Sequence, residues 1–172
     1  MDDQTPQHCP DCGTSLSSRE IEGRSRAYCP SCETPIYRNP KPCAGVLVVD
    51  KGQLLLVKRT QPPGVGTWSI PAGFLEYDEP PARGAVRELE EETGVVVSED
   101  ELELFDTDFV TAGPRENVLV IIYRVDRGVT EGEPEAGSDA GAVRFWEMDD
   151  FEKRDEDIEP GYEEIFRRTR TL

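Results

Sequence analysis

The sequence has no long hydrophobic run and few basic residues. No stretch reaches the roughly 18 consecutive apolar residues that a membrane-spanning helix needs, so we expect no such helix. The 36 aspartates and glutamates outnumber 19 basic residues, only four of which are lysines, and the formal net charge is −17. Without a basic patch, binding to a nucleic-acid backbone or to an anionic membrane is disfavoured. An anionic substrate would need cations between it and the protein.

The acidic residues are spread along the chain rather than gathered in one tail. This composition is typical of a solvated acidic surface. It also suits adaptation to high salt, where ions screen the self-repulsion, and we expect a halophilic protein. The first residues, MDDQTPQHCP, do not resemble a secretory signal, so the prediction is a cytoplasmic protein.

Four of the five cysteines occur in two knuckles, C-P-D-C and C-P-S-C, at positions 9, 12, 29 and 32. Their spacing, C-x2-C-x16-C-x2-C, is typical of a four-cysteine zinc site. A short hairpin within the 16 intervening residues would bring the knuckles together. Two disulfides are the alternative, which an intracellular location disfavours. We expect Cys9, Cys12, Cys29 and Cys32 to bind one structural Zn²⁺, and we expect Cys43 to be a small core residue rather than a reactive thiol.

The chain of 172 residues is long enough for one medium domain and a small appendage. We place a zinc ribbon at 1–38 and the larger domain at 39–172. In the larger domain, two apolar runs around Lys51-Gly52 predict a β-hairpin, and further strands are expected at VVV, LELFDTDFVTAG, NVLVIIYRV and AVRFWEM. A glycine-rich acidic loop at 127–140 and a C-terminal amphipathic helix complete the prediction of an α/β domain with a mixed sheet.

The clearest helix precedes Gly94 and carries R-E-L-E-E-E-T from Arg87 onward. We expect Asp78 or Glu79 to cap its start and Gly94 to end it. At 100° per residue, Glu88, Glu91 and Glu92 share a face about 100° wide, whereas Glu90 points away. Carboxylates held together in this way repel one another unless a cation lies among them, and hard divalent ions prefer such oxygen ligands. An exposed acidic face is the simpler alternative.

The spacing of the residues before and after these glutamates is a more specific motif than the glutamates alone. From Gly73 the sequence fits G-x5-E-x7-R-E-U-x-E-E-x-G-U, where U is aliphatic, at all nine defined positions. This pattern resembles the Nudix box, and GTWSIPAGF before it also resembles the family. The resemblance implies a Nudix α/β/α sandwich with a mixed central sheet. It also implies hydrolysis of a nucleoside diphosphate linked to another moiety, by attack of water on phosphorus.

The resemblance also implies roles for individual residues. Glu88, Glu91 and Glu92 would bind Mg²⁺ or Mn²⁺, with the carbonyl of Ala72 as an additional ligand. Glu79 and Arg87 would orient these ligands. The general base is left open between Glu91, Glu92 and an acid from a later loop. Candidates in that later region are Asp139, Glu135 and Glu116, of which Asp139 is favoured.

The resemblance extends to Nudix proteins that carry an N-terminal zinc ribbon, over about residues 9 to 125. Their substrates include NADH, FAD and ADP-ribose. The S-Q-P-W-P-F-P signature of the NADH enzymes is absent, so ADP-ribose or FAD is expected, with release of AMP. Arg59 and Arg115 are candidates for phosphate contacts. Trp68 and Phe74, and beyond them Tyr37 and Tyr77, are candidates for stacking on a ring.

Three other functions are compatible with the sequence. The zinc ribbon could bind RNA while the larger domain removes a cap or 5′ phosphates. Against this, positions 1–40 hold six acidic and four basic residues, a net charge of −2. A non-catalytic nucleotide sensor would not need all three glutamates, and hydrolysis of damaged nucleoside triphosphates would release pyrophosphate. The sequence also leaves open whether the protein forms a homodimer.

Overall fold

The computed structural model describes residues 6–62, 64–113, 116–137, 140–160 and 162–169. It contains two separate β-sheets, one of three strands and one of seven. Three α-helices accompany the strands within these ranges.

The smaller sheet belongs to the cysteine-rich region. Its antiparallel strands are β1 (Ser17–Ile21), β2 (Arg24–Cys29) and β3 (Thr34–Ile36), in the order β1-β2-β3. Glu22 and Gly23 turn the chain between the first two strands, and both have positive φ values, 54° and 71°. The predicted hairpin between the two knuckles is therefore present.

The larger sheet is mixed. Its strands are β4 (Lys41–Asp50), β5 (Gln53–Arg59), β6 (Trp68–Ser69), β7 (Ala72–Phe74), β8 (Glu103–Gly113), β9 (Glu116–Asp126) and β10 (Ala140–Trp146). The main order is β10-β5-β4-β9-β8, with β6 paired to β5 and β7 paired to β4. Strands β4 and β9 are parallel, and the other pairs are antiparallel. The predicted turn at Lys51-Gly52 joins β4 to β5 with φ values of 50° and 86°, the φ signs of a type I′ turn.

Helices cover both faces of this sheet. Helix α1 (Pro81–Thr93) packs on one face through Ala85 and Leu89. Helices α2 (Met148–Arg154) and α3 (Tyr162–Thr169) pack on the other, where Trp146 lies between Trp68 and Phe151. Each face buries its own apolar cluster, so the α/β/α sandwich is confirmed.

Three local predictions were wrong. The VVV segment is not a strand, because only Val96 forms a bridge, to Glu131. The start of α1 has Pro80 in the capping position with no side-chain cap. The strand predicted at AVRFWEM ends at Trp146, and helix α2, which begins at Met148, was missed. Its start is marked by a capping box between Glu147 and Asp150, a signal that the strand pattern of the preceding residues concealed.

Candidate functional site

Helix α1 presents the glutamates that the sequence singled out. It begins at Pro81, whose fixed φ suits the first turn. It ends at Gly94, which adopts φ 69° and donates its backbone N–H to the Glu90 carbonyl at 2.8 Å. A left-handed C-cap of this kind favours glycine because a Cβ atom would be strained there. Both ends of the helix are therefore set by local chemistry.

Arg87 organises the acidic groups around it. Its guanidinium makes two hydrogen bonds to Glu79, both 2.9 Å long, and donates to Glu88 at 2.7 Å and Glu91 at 3.2 Å. It also donates to the carbonyl of Phe74 at 3.2 Å. The Glu79 side chain is 9% exposed, and its hydrogen bonds from Arg87 lower its pKa. Glu79 therefore orients Arg87 instead of capping the helix, and the capping position belongs to Pro80, whose side chain cannot form a hydrogen bond.

Glu88 and Glu92 lie against strand β7. The backbone N–H of Ala72 donates to the Glu92 carboxylate at 3.0 Å. The carboxyl group of Glu88 lies so close to Gly73 that a Cβ atom there would overlap it. The glycine of the box is thus needed for close approach rather than for an unusual φ. Burial raises the pKa of Glu88 above its ordinary value, because desolvation disfavours the charged form.

These groups fit a hard divalent cation. The Glu88 side chain is 15% exposed, and a carboxylate removed from water is stabilised by a cation beside it. Glu91 is 60% exposed and Glu92 is held by the Ala72 N–H. A metal would compete with Arg87 for Glu88 and Glu91. The carbonyl of Ala72 as a further ligand stays a prediction.

The four knuckle cysteines form a compact group. Their sulfur atoms all lie within 4.8 Å of one another, and the Cys12 and Cys29 sulfurs are 3.6 Å apart. The backbone N–H of Cys32 donates to the Cys29 sulfur at 3.3 Å, and all four cysteines are free of disulfides. Thiols gathered in this way suit a tetrahedral metal site. By contrast, among the described residues, no three carboxylates of the Nudix box have oxygen atoms all within 4.8 Å of one another.

A cavity of about 610 Å³ adjoins the glutamates. Ala72, Gly73 and Phe74 of β7 form the wall nearest to them, and the apolar Val118, Val120 and Ile122 of β9 line the sheet side. The segment before α3 adds a further wall. In that wall Glu159 lies 3.6 Å from Arg59, and burial raises the pKa of its carboxyl group. A concave, largely apolar space with a few charged groups suits a nucleoside.

The structure brings some of the expected substrate contacts to this cavity. Arg59 and Phe74 line it, and Phe74 is 49% exposed. Trp68 does not line the cavity. It is buried in the core, with 3% of its surface exposed, and its indole N–H donates to Glu156 at 3.0 Å. That side chain is a packing residue and not a substrate contact. Arg115 and Asp139 lie outside the described residues.

The remaining base candidates differ in their surroundings. Glu116 forms an ion pair with Lys41 and lines the cavity. Glu135 is exposed on the loop that follows Glu131. That loop is attached to the end of α1, since the N–H groups of Glu135 and Gly137 donate to the carbonyls of Thr93 and Glu92 at 2.8 and 2.9 Å.

Sequence reasoning missed two cavity residues. Cys43 lines the cavity instead of the core, and burial raises the pKa of its thiol to about 12, which agrees with an unreactive thiol. Glu159 was not singled out, because one acid among 36 carries no signal in a sequence. The predicted C-terminal amphipathic helix is present as α3, and its Tyr162 and Ile165 line the cavity.

Comparisons with known proteins agree with this geometry. The NUDIX domain family matches residues 39–169, more than half of the chain. An ADP-ribose pyrophosphatase of Methanocaldococcus jannaschii is 30% identical over 118 residues, covering 69% of this chain and 68% of that protein. A NAD-capped RNA hydrolase of Stutzerimonas stutzeri is 34% identical over 87 residues, covering 51% of this chain but 30% of that protein.

A solved structure of a NUDIX hydrolase from Nitrosomonas europaea aligns with a TM-score of 0.65 and 28% identity. The alignment covers 84% of this chain and 79% of that one. The predicted Nudix resemblance and fold are therefore confirmed. Among the described residues, no helix is long and apolar enough to cross a membrane.

Proposed function

The chain belongs to the NUDIX family of hydrolases, and we propose that it cleaves the pyrophosphate bond of ADP-ribose or FAD and releases AMP. The observation that carries this proposal is the set of carboxylates held around Arg87 beside a cavity of about 610 Å³. The name of the Methanocaldococcus relative supports ADP-ribose.

The glutamates of α1 would hold the catalytic cations, which we propose to be Mg²⁺ or Mn²⁺. Glu88, Glu91 and Glu92 are the ligands in this proposal, together with the Ala72 carbonyl. When bound, such ions neutralise phosphate charge and lower the pKa of a bound water. Arg87 holds Glu88 and Glu91 on one side of the helix, and Glu79 holds Arg87. This support keeps the ligands in place before substrate arrives.

The cavity would hold the nucleoside half of the substrate. Its apolar β9 side chains exclude water from a base, while Arg59 provides a cation next to Glu159. Phe74 is placed to cover a ring or sugar near the scissile bond, because its neighbour Gly73 lies against Glu88. We propose Arg59 and Phe74 as substrate contacts, and Arg115 stays a prediction from the sequence.

We favour Asp139 as the general base. Gly137, two residues before it, donates to the Glu92 carbonyl at 2.9 Å. This hydrogen bond holds Gly137 beside the helix that would bind the metal. Glu91 and Glu92 are the alternatives within the box, and a base must reach the attacking water directly or through one further water.

Two further proposals concern the rest of the chain. The four cysteines would hold one Zn²⁺ that stabilises the ribbon without taking part in chemistry, because four thiolates close the coordination sphere. The net charge of −17 supports work at high salt. The enzyme would then be a cytoplasmic protein of a salt-rich cell.

A substrate panel tests the proposed function. ADP-ribose, FAD, NADH, dinucleoside polyphosphates and nucleoside triphosphates would be incubated in high salt with Mg²⁺ or Mn²⁺, and the products separated by chromatography. We expect AMP from ADP-ribose or FAD. Pyrophosphate released from triphosphates, with no AMP from either favoured substrate, would contradict the proposal and indicate a role in removing damaged nucleotides.

RNA is the second candidate substrate, because the Stutzerimonas relative is a NAD-capped RNA hydrolase. Binding of a short RNA, measured at several salt concentrations, separates the two. Several phosphate contacts would give a steep fall of affinity with salt. We expect weak binding with little salt dependence, since the chain carries 36 acidic residues.

A further inference from the structure

A second cleft adjoins the catalytic cavity. We call it the linker cleft: it has a volume of about 580 Å³ and is lined by residues 37–41 together with Glu116 and Asn117. Residues 37–40 connect β3 of the ribbon to β4 of the hydrolase domain. Glu116 lines both spaces, so the two are neighbours, and none of the residues that hold the catalytic carboxylates lines the linker cleft.

The residues that line the linker cleft can bind an aromatic ring of a ligand. The Tyr37 side chain is 51% exposed, and the guanidinium of Arg26 lies 4.7 Å from its ring centroid. A cation at one face of a tyrosine is attracted to the ring and restrains it. The amides of Asn39 and Asn117 also line the cleft, and each amide offers both a donor and an acceptor to polar ring atoms.

The boundary between the two spaces is cationic. Lys41 forms an ion pair with Glu116, and its ammonium lies 5.1 Å from the ring centroid of Phe74. Arg38 also lines the cleft. Two basic residues against the single acid Glu116 leave this small region with a net charge of +1, in a protein with net charge −17. Such a placement favours a ligand that carries phosphate.

The separation from the catalytic carboxylates fits one substrate molecule. Gly73, against which Glu88 lies, pairs with Ala44 on β4. Lys41 precedes Ala44 by three residues on the same strand, which corresponds to about 10 Å at roughly 3.3 Å per residue. A molecule held at its pyrophosphate beside Gly73 can thus extend past Phe74 into the linker cleft.

We propose that the linker cleft binds the second ring-bearing half of a dinucleotide, with Tyr37 stacking on that ring. This inference rests on the proposed function and narrows it. FAD has a ring at each end of its pyrophosphate, whereas ADP-ribose ends in a sugar. The first ring occupies the catalytic cavity, and the second lies on Tyr37. The enzyme therefore favours FAD over ADP-ribose through KM rather than through kcat.

The test compares Tyr37→Ala with the wild type on FAD and on ADP-ribose. Stacking of a base on an aromatic side chain is worth enough to change binding about tenfold. We expect KM for FAD to rise about tenfold, while kcat for both substrates and KM for ADP-ribose stay unchanged. Tyr37→Phe keeps the ring and is expected to match the wild type. Tyr77→Ala is the matched control. The sequence made Tyr77 a stacking candidate, but the residue is fully exposed and lines neither space.

Two results would overturn the inference: an unchanged KM for FAD in Tyr37→Ala, or an equal rise for FAD and ADP-ribose. A binding measurement keeps it separate from the proposed function. FAD is titrated calorimetrically into Glu92→Gln, with and without Tyr37→Ala, so that no turnover is needed. Tyr37-dependent binding of FAD, combined with a wild type that cleaves neither substrate, would retain the linker cleft and reject the proposed function. Binding independent of Tyr37 would reject the linker cleft alone.

Discussion

The carboxyl group of Glu88 lies directly over the backbone of Gly73, in the space that a Cβ atom would fill. Gly73 has no positive φ, so alanine suits its backbone and the conflict is with the carboxylate alone. The end of a glutamate side chain can move aside. The glycine therefore maintains the position of a proposed metal ligand rather than the fold.

Gly73→Ala is expected to weaken Mg²⁺ binding at least about tenfold, which is the scale of losing a group that positions a ligand. The melting temperature should change little. Mg²⁺ titrations of activity, together with thermal melts, measure both quantities. Gly128→Ala is the control, because a Cβ atom at Gly128 meets nothing within 4 Å. Unchanged Mg²⁺ dependence in Gly73→Ala would contradict the role of Gly73 in positioning Glu88.

Glu92→Gln tests the metal-ligand assignment directly. The amide oxygen of glutamine can still accept the Ala72 N–H, so the fold should remain, but the ligand charge is lost. We expect turnover to fall at least about 100-fold. Glu90→Gln is the matched control, since Glu90 is an exposed neighbour on the same helix. Equal rates in Glu92→Gln and the wild type across a Mg²⁺ titration would reject the assignment.

Gly137→Ala tests the attachment of the acidic loop to α1. A Cβ atom at Gly137 would overlap the backbone carbonyl oxygen of Glu91, and a helix backbone cannot move aside. The loop would move away from α1 and lose its hydrogen bond to Glu92. We expect the free energy of unfolding to fall by about 1–3 kcal/mol. Urea unfolding and kcat measure the two effects, with Gly128→Ala as control. If Asp139 is the base, kcat falls while Mg²⁺ affinity is retained, and wild-type kcat would argue for a base within the box.

Cys9→Ser tests the zinc site of the ribbon. Cys9 is 3% exposed and belongs to the four-sulfur group, so we expect loss of the single bound Zn²⁺ and faster proteolysis near the knuckles. Cys43→Ser is the control, because it changes a cysteine outside the group and should retain one Zn²⁺ per chain. Elemental analysis measures the zinc content of both variants. Full zinc content and wild-type proteolysis in Cys9→Ser would contradict a structural zinc.

The lowered pKa of Glu156 leads us to predict that the stability of the fold depends on pH. Hydrogen bonds from Lys58 and Trp68 lower its pKa below the ordinary value of 4.5. A carboxylate with a lowered pKa stabilises the fold fully above its unfolded value, and this contribution is lost as the pH falls through the folded value. Melting temperatures of the wild type should therefore drop more steeply than those of Glu156→Gln below about pH 4.5. Parallel curves for the two proteins would contradict the prediction, and Glu101→Gln, at an exposed position, serves as control.

The grouping of the proposed metal ligands could be predicted because it depends on a local pattern. One helix carries Glu88, Glu91 and Glu92, so their shared side follows from 3.6 residues per turn. The two cysteine knuckles likewise bring their own ligands together once a hairpin joins them. The end of α1 at Gly94 also followed from local chemistry.

Much of the cavity lining could not be predicted, because it depends on contacts between distant segments. Trp68 looked like a ring-stacking residue, but packing against Trp146 and a hydrogen bond to Glu156 place it in the core. Glu159 reached the cavity only because its segment pairs with Trp68, whose carbonyl accepts the Glu159 N–H at 2.9 Å. No periodicity near position 159 could signal that contact.

The sequence by itself determined that the proposed ligands lie near one another, because glutamates three and four residues apart share one side of a helix and each C-x2-C knuckle holds its own two cysteines close. Only the tertiary structure decided what surrounds them. Parallel pairing of β4 with β9 brings Lys41 next to Glu116 across about 75 residues of chain, and thereby creates the boundary between the catalytic cavity and the linker cleft. Sequence separation of that size carries no local signal, so the shape available to the substrate appears only once the sheet has formed.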